Sequence, residues 1–128
     1  MTLTYPAELH YTASHEYVAL TDGLAVVGIT SFAIEELGDI TYLELPPVGR
    51  TVTCGERFGT IESVKAVSDL YAPVSGVVRA VHGELVDAPE RLAEDPYGIG
   101  WLLKIQLTQP EETQALLTAA DYQAQLGG

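Results

Sequence analysis

A lysine amine can be converted into a stable amide, and the 128-residue chain has only two lysines, Lys65 and Lys104. Lys65 lies in the stretch FGTIESVKAVSDLYAPVSG. Residues 58–64 mix aromatic and β-branched side chains and residues 67–71 alternate apolar with polar, which predicts two strands. Lys65 and Ala66 leave room only for a tight connection. No Asn-Gly or Asp-Gly marks it, so the expectation of a hairpin rests on its flanks. Pro73, which cannot donate to a ladder, and Gly76, which permits positive φ, end the second strand. At such a tip the amine is open to a modifying enzyme, and an arm attached there moves past small or β-branched neighbours. Most exposed hairpin lysines are only solvated charges that keep an edge soluble, so the tip alone does not separate the two readings. Lys104 reads differently. It interrupts the strand pattern of residues 101–107, in which Trp101, Leu103, Ile105 and Leu107 share a face, so it is expected to point outward from a structural strand. Glu62 and Asp69, three before and four after Lys65, come close to register across the hairpin and would address the amine to a positively charged partner surface.

Charge and composition narrow the classes of partner. Six basic against eighteen acidic side chains give a formal charge of −12, which opposes binding to nucleic acid or anionic lipid and favours partners with basic surfaces. With 47% hydrophobic residues, the chain suits one domain, 1–128, that buries roughly two-thirds of its unfolded surface. The N-terminal residues lack the basic and apolar regions of a signal peptide, and no window is long enough for a membrane span, so a cytoplasmic protein is expected. Cys54, the single cysteine, excludes an internal disulfide and reads as a small filler in a turn rather than a nucleophile. His10, His15 and His82 have no ligand spacing and read as ordinary histidines.

Taken in order, residues 11–20 alternate roughly, Thr21-Asp22-Gly23 makes a turn, and residues 24–29 suit a buried strand. Ser14-His15-Glu16 contains the residue types of a hydrolytic triad. Strand neighbours point to opposite faces, however, so the three would not converge, whereas Ser14 and Glu16 would share one face. Thr30 or Ser31 is expected to cap a short helix through Leu37 with Gly38 as its stop and Phe32, Ala33 and Leu37 as its apolar stripe. Residues 40–45 set Ile40, Tyr42 and Glu44 against Thr41, Leu43 and Leu45 before Pro46-Pro47 breaks the strand, and residues 50–54 start the next. Residues 77–82 form a further strand. VGRTVTCGE before the lysine hairpin loosely mirrors VSGVVRAVHGE after it, suggesting a quasi-twofold pair of sheets. Residues 83–95 read as a turn of helix and a long loop, and Asp95-Pro96-Tyr97-Gly98 as a turn. A helical segment covers about 109–126, with a Thr108/Glu111 capping box, apolar Leu116 and Leu117, a second start at Thr118, and an end at Gly127-Gly128.

The segment ESVKAVSD resembles the lipoylation segment of glycine cleavage system H proteins. TASHEY from Thr12, GITSFAIEELGD from Gly28, YLELPPVG from Tyr42 and DPYGIGWLLKI from Asp95 resemble that family's other motifs, in the same order and similar spacing over nearly the whole chain. The resemblance implies a mainly β, lipoyl-domain-like hammerhead or barrel-sandwich of two small antiparallel sheets with short appended helices. It also implies a non-catalytic carrier with lipoic acid on Lys65, which takes the aminomethyl group of glycine from glycine decarboxylase to a tetrahydrofolate-dependent aminomethyltransferase. Dihydrolipoyl dehydrogenase then restores the disulfide, and a lipoate ligase or lipoyl transferase loads the lysine. By resemblance Ser14 and Glu16 line the cleft that receives the loaded arm; a carboxylate there would hold the cationic group by a charge-assisted hydrogen bond, and Ser14, Glu16 and Asp69 are expected to shelter it together. The chain departs from the family at Tyr17, where tryptophan is usual, and at His82 and Ala93, where asparagines are expected. These departures bear on loop hydrogen bonding near the cleft. A biotin carrier would place methionines beside the lysine, where Val64 and Ala66 stand. A lipoate-relay protein and an unmodified interaction module stay open on the residues alone.

Overall fold

A computed structural model of the chain describes residues 5–126. Met1 to Thr4 and the expected helix stop at Gly127-Gly128 lie outside the described residues. Among the described residues, nine strands form two antiparallel sheets. The larger has the order β1 (His10–Tyr11), β2 (Glu16–Thr21), β3 (Leu24–Ile29), β9 (Leu103–Leu107), β8 (Gly76–Val81), β5 (Thr51–Val52), and the smaller the order β4 (Ile40–Glu44), β6 (Arg57–Ser63), β7 (Val67–Tyr71). The mainly β, two-sheet architecture expected from the sequence is the one observed. The main core lies between them. Val27, Val78 and Ile105 of the larger sheet and Leu43, Ile61 and Leu70 of the smaller are all at or near zero exposure.

The turns explain where sequence and structure part. Asp22 and Gly23 both have positive φ, 48° and 81°, which is the handedness a two-residue hairpin needs to match strand twist, so Thr21 stays in β2. Residues 11–20 form two strands instead of one, because the chain bends through 12–15. On β4 a bulge between Ile40 and Tyr42 breaks the expected alternation, so Ile40 and Leu43 are buried while Tyr42 is exposed. Only Thr51 and Val52 of residues 50–54 are strand; they pair with Val77 and Gly76, which brings the two mirrored segments side by side. Trp101 lies outside β9.

The helices follow their caps. Thr30 accepts from the Ala33 N–H to start α1 (Ser31–Leu37), and Gly38 closes it with φ 79°. Its buried side chains are Ser31, Ile34 and Leu37; Phe32 and Ala33, expected in the apolar stripe, are only half-buried. Residues 83–95 carry more helix than expected, α2 (Gly83–Asp87) and a 3-10 helix (Pro89–Ala93), because Leu85 and Leu92 both reach the main core. The Thr108/Glu111 capping box does not form. Gln109 occupies the cap position of a 3-10 helix (Pro110–Ala115) without a side-chain bond, and its Glu112 accepts from Ser75 N–H at 2.7 Å and Ser75 Oγ at 2.8 Å instead. Thr118 does cap α3 (Ala119–Gln125). Tyr122 of α3 packs with Tyr11 and Tyr17 in a second, aromatic cluster on the far side of β1 and β2.

Candidate functional site

The Lys65 hairpin is tight at its base and open at its tip. Gly59 of β6 runs so close to β4 that a Cβ there would stand 2.2 Å from the Glu44 carbonyl oxygen. β6 ends at Ser63, one residue earlier than expected, and the connection has three residues, Val64, Lys65 and Ala66. Ser63 holds this connection. Its N–H donates to the Ala66 carbonyl at 2.8 Å, and its Oγ accepts from the N–H groups of Lys65 and Ala66 at 3.3 and 3.1 Å. The Val64 N–H donates to Asp39 O at 3.0 Å, tying the tip to the segment after α1. Val64, Lys65 and Ala66 are all exposed. A Cβ on Gly38 would lie 3.7 Å from Lys65 Cε, so the lysine stem passes over the C-terminal end of α1.

That end of α1 borders a cleft of about 710 Å³ between α1, the start of β2 and the free edge of β7. Ile29, Phe32, Leu37, Ile61 and Leu70 give it apolar walls, and Ala66 and Val67 bring the lysine connection to its rim. Ser14, Glu16 and Asp69, expected together from the sequence, all line it. Glu62 does not. It sits between Tyr42 and Val67 in cross-strand register, two residues along β6 from the Thr60–Asp69 pair.

The polar end of the cleft is built on a bend. His15 has φ 77°, a left-handed conformation that histidine adopts more readily than most residues. The bend is closed by His15 N–H donating to Thr12 O at 3.1 Å and Thr12 N–H donating to Glu16 O at 3.0 Å. Because of it, Ser14, His15 and Glu16 all face the cleft, contrary to the alternation expected of a strand. They still form no triad. Ser14 Oγ donates to Glu16 Oε1, while His15 Nδ1 meets Tyr122 Oη at 2.7 Å.

Glu16 is 1% exposed. Its Oε1 also accepts from Thr12 Oγ1 at 2.7 Å, and its Oε2 from the Tyr71 N–H at 3.4 Å. Burial pushes the carboxyl pKa above its ordinary value, and the hydrogen bonds from Ser14, Thr12 and Tyr71 oppose that rise without cancelling it. Asp69 is exposed on the opposite rim, where its Oδ2 accepts from Tyr71 Oη at 3.4 Å. The cleft thus joins an apolar channel to a carboxylate that pays for its burial with three donors, an environment suited to an aliphatic arm ending in a small cation.

Sequence reasoning missed His15, Phe32 and Tyr71 as cleft residues, and Thr12 as a donor to Glu16. The positive φ of His15 has no sequence signature beyond histidine's tolerance of it, and Phe32 reads as helix stripe until α1 is placed.

The other landmarks lie elsewhere. Lys104, half-buried, holds its Nζ 4.9 Å from the centre of the Trp101 ring. Tyr17, His82 and Ala93 do not line the cleft, so the three departures from the family leave its walls untouched. Tyr17 Oη donates to Pro96 O at 2.7 Å, and His82 stacks on Trp101 with ring centres 4.4 Å apart. Cys54 is exposed rather than a filler, and its Sγ reaches Pro73 O at 3.3 Å.

Comparison with known proteins decides the family. The sequence profile described as Glycine cleavage H-protein matches residues 9–127. The chain belongs to this family. It is 54% identical over 128 residues to the glycine cleavage system H protein of Cyanothece sp. (strain PCC 7425 / ATCC 29141), covering 100% of this chain and 99% of that protein. It is 56% identical over 129 residues to that of Thermosynechococcus vestitus (strain NIES-2133 / IAM M-273 / BP-1), with the same coverage. The crystal structure of a glycine cleavage system H protein from Mycobacterium marinum superposes with a TM-score of 0.88 at 44% identity, covering 97% of this chain and 100% of that one. Within the H-protein family, then, this chain sets an exposed lysine beside a cleft that ends in a buried carboxylate.

Proposed function

We propose that the chain is the lipoyl-bearing carrier of a glycine cleavage system, that Lys65 is its attachment residue, and that it is itself non-catalytic. The reading is carried by one juxtaposition: the exposed Lys65 tip stands at the rim of a cleft whose far end is the Glu16 carboxylate. The chain works as one carrier domain in the cytoplasm. Glycine decarboxylase, an aminomethyltransferase and dihydrolipoyl dehydrogenase are its successive partners, and a lipoate ligase or lipoyl transferase prepares it. Bound lipoate supplies the dithiol chemistry by which an aminomethyl group is accepted from glycine and passed to tetrahydrofolate.

The chain's own residues position and shelter. The three-residue connection presents the amine clear of both sheets, so that an enzyme reaches it and the arm can leave for a partner's active site. Tethering keeps the arm at high effective concentration near each site in turn. Between visits Ile29, Phe32, Leu37, Ile61 and Leu70 cover the aliphatic part, while Ser14, Glu16 and Asp69 receive the cationic end. Ser14 and Thr12 orient Glu16 Oε1, and Asp69 adds a second negative charge at the rim. Glu62, outside the cleft, acts on the docking side, where the modifying enzyme approaches the amine.

Incubation with a lipoate ligase and lipoate, read by intact and peptide mass spectrometry, is expected to add one lipoyl increment at Lys65. The loaded protein should then support glycine-dependent carbon dioxide exchange by the decarboxylase. A lysine that stays unmodified beside an active control substrate rejects the attachment site. Modification without exchange moves the chain to a lipoate-relay role.

A further inference from the structure

We infer that Tyr122, on the C-terminal helix, is a positioning residue for the cleft, its hydroxyl bridging the His15 ring to the N-cap of α1 and so fixing the bend that aims Ser14 and Glu16. The inference rests on the proposed sheltering role of the cleft.

Tyr122 Oη lies 2.7 Å from His15 Nδ1 and 2.8 Å from Thr30 Oγ1. Thr30 Oγ1 also accepts from Ala33 N–H, the first bond of α1. The His15 and Thr30 backbones are joined as well, Thr30 N–H donating to His15 O at 3.0 Å. One phenol therefore links two adjacent segments that border the cleft, the 12–16 bend and the start of α1. Tyr122 is fully buried, and burial keeps its hydroxyl protonated, so it always has one proton to donate along this chain of groups.

The bend needs such a clamp. A non-glycine residue at positive φ costs free energy unless the surroundings hold it. Here the His15 ring is caught between Phe32, at a centre distance of 4.9 Å, and Tyr122, at 5.7 Å. Both oxygens that meet Glu16 Oε1 belong to this bend. If His15 relaxes, Thr12 and Ser14 lose their common target, and the carboxylate is left buried with fewer donors. Gln125 Nε2, donating to Ala13 O at 3.3 Å, ties the same helix to the same bend.

Tyr122→Phe tests the idea without removing the ring, which keeps its contacts with Tyr5 and Tyr11 at 5.4 and 5.0 Å. In the unmodified protein, amide exchange at His15 and Glu16 is expected to rise about tenfold, with β3 and β9 unchanged. In the loaded protein, the arm-bound aminomethyl group should be lost to water several-fold faster. His15→Asn, a residue that also tolerates positive φ, supplies the second arm: if the hydroxyl acts through His15, Tyr122→Phe adds little in that background. A uniform rise in exchange across the chain, or full additivity with His15→Asn, overturns the inference in favour of a merely structural tyrosine. Glu16→Gln separates the two layers. If it shortens the loaded lifetime and Tyr122→Phe changes neither lifetime nor local exchange, the positioning role fails and the cleft reading stands. If Glu16→Gln leaves the lifetime unchanged, the electrostatic cleft reading fails, and local exchange alone decides the role of Tyr122.

Discussion

Lys65 and Glu16, which the proposed carrier role assigns to the same arm, are held in opposite ways. Lys65 stands on a three-residue connection whose members are all exposed, and no ion pair is made by it among the described residues. Glu16 is buried, accepts from Thr12, Ser14 and Tyr71, and follows a residue in left-handed conformation. The difference follows from the two tasks. A carrier's attachment point has to be reached by enzymes of different shapes, so its specificity lies in exposure. A receptor for a small cation has to be ready before the cation arrives, since reorganising dipoles at the moment of binding would consume the interaction.

The strongest way to break the comparison is to exchange the roles of the two lysines. Lys65→Arg is expected to abolish lipoylation completely in a ligase assay read by intact mass, because arginine offers no comparable nucleophilic amine. Lys104→Arg should leave the single increment intact, since Lys104 is half-buried on β9 with its amine over Trp101. An increment on the Lys65→Arg protein would show that exposure at the tip is not what selects the lysine.

The next test moves from the tip to its base. Gly59→Ala would press a Cβ to 2.2 Å from the Glu44 carbonyl, a backbone atom that cannot swing aside. Overpacking of this kind costs about 1–3 kcal/mol, and urea unfolding should show a loss in that range. Ala66→Ser, at the exposed tip, should stay within about 0.5 kcal/mol of the parent. Equal costs at the two positions would mean that the hairpin is not rigid at one end and tolerant at the other.

Much of this contrast was legible in the residues, for local reasons. Asp22-Gly23, the Thr30 cap with Gly38, the Thr118 cap and the two strands around Lys65 are each specified by neighbours in sequence. What escaped was decided over distance. The bulge on β4 and the early end of β6 depend on how the smaller sheet fits α1 and its following segment, and they displaced the expected pattern by one residue. The Thr108/Glu111 box lost to Glu112, whose carboxylate found two donors on Ser75, 37 residues away. At the site, Ser14 and Glu16 came by family resemblance and Asp69 from its place beside the lysine hairpin, whereas the clamp between His15 and Tyr122 spans 107 residues and has no sequence pattern. The alternation argument failed at Ser14-His15-Glu16 because one positive φ turns a strand into a bend.

The smallest effect expected is the most diagnostic of Glu16. Burial raises its carboxyl pKa above the ordinary 4.5, so the folded protein holds the proton more tightly than the unfolded chain. The stabilising contribution of the protonated form is then fully present below the unfolded value and lost as pH rises through the folded one. Glu16→Gln cannot titrate, yet its Oε1 can still accept from Thr12 and Ser14. Urea midpoints of the two proteins, measured from below pH 4.5 to neutrality, should therefore drift apart in one direction, with the parent losing stability relative to the glutamine variant as pH increases. A parent that instead gained on the variant over this window would mean that the three donors outweigh desolvation. The cleft would then hold its carboxylate charged at no cost, and a cation on the arm would find less to gain there than the burial of Glu16 implies.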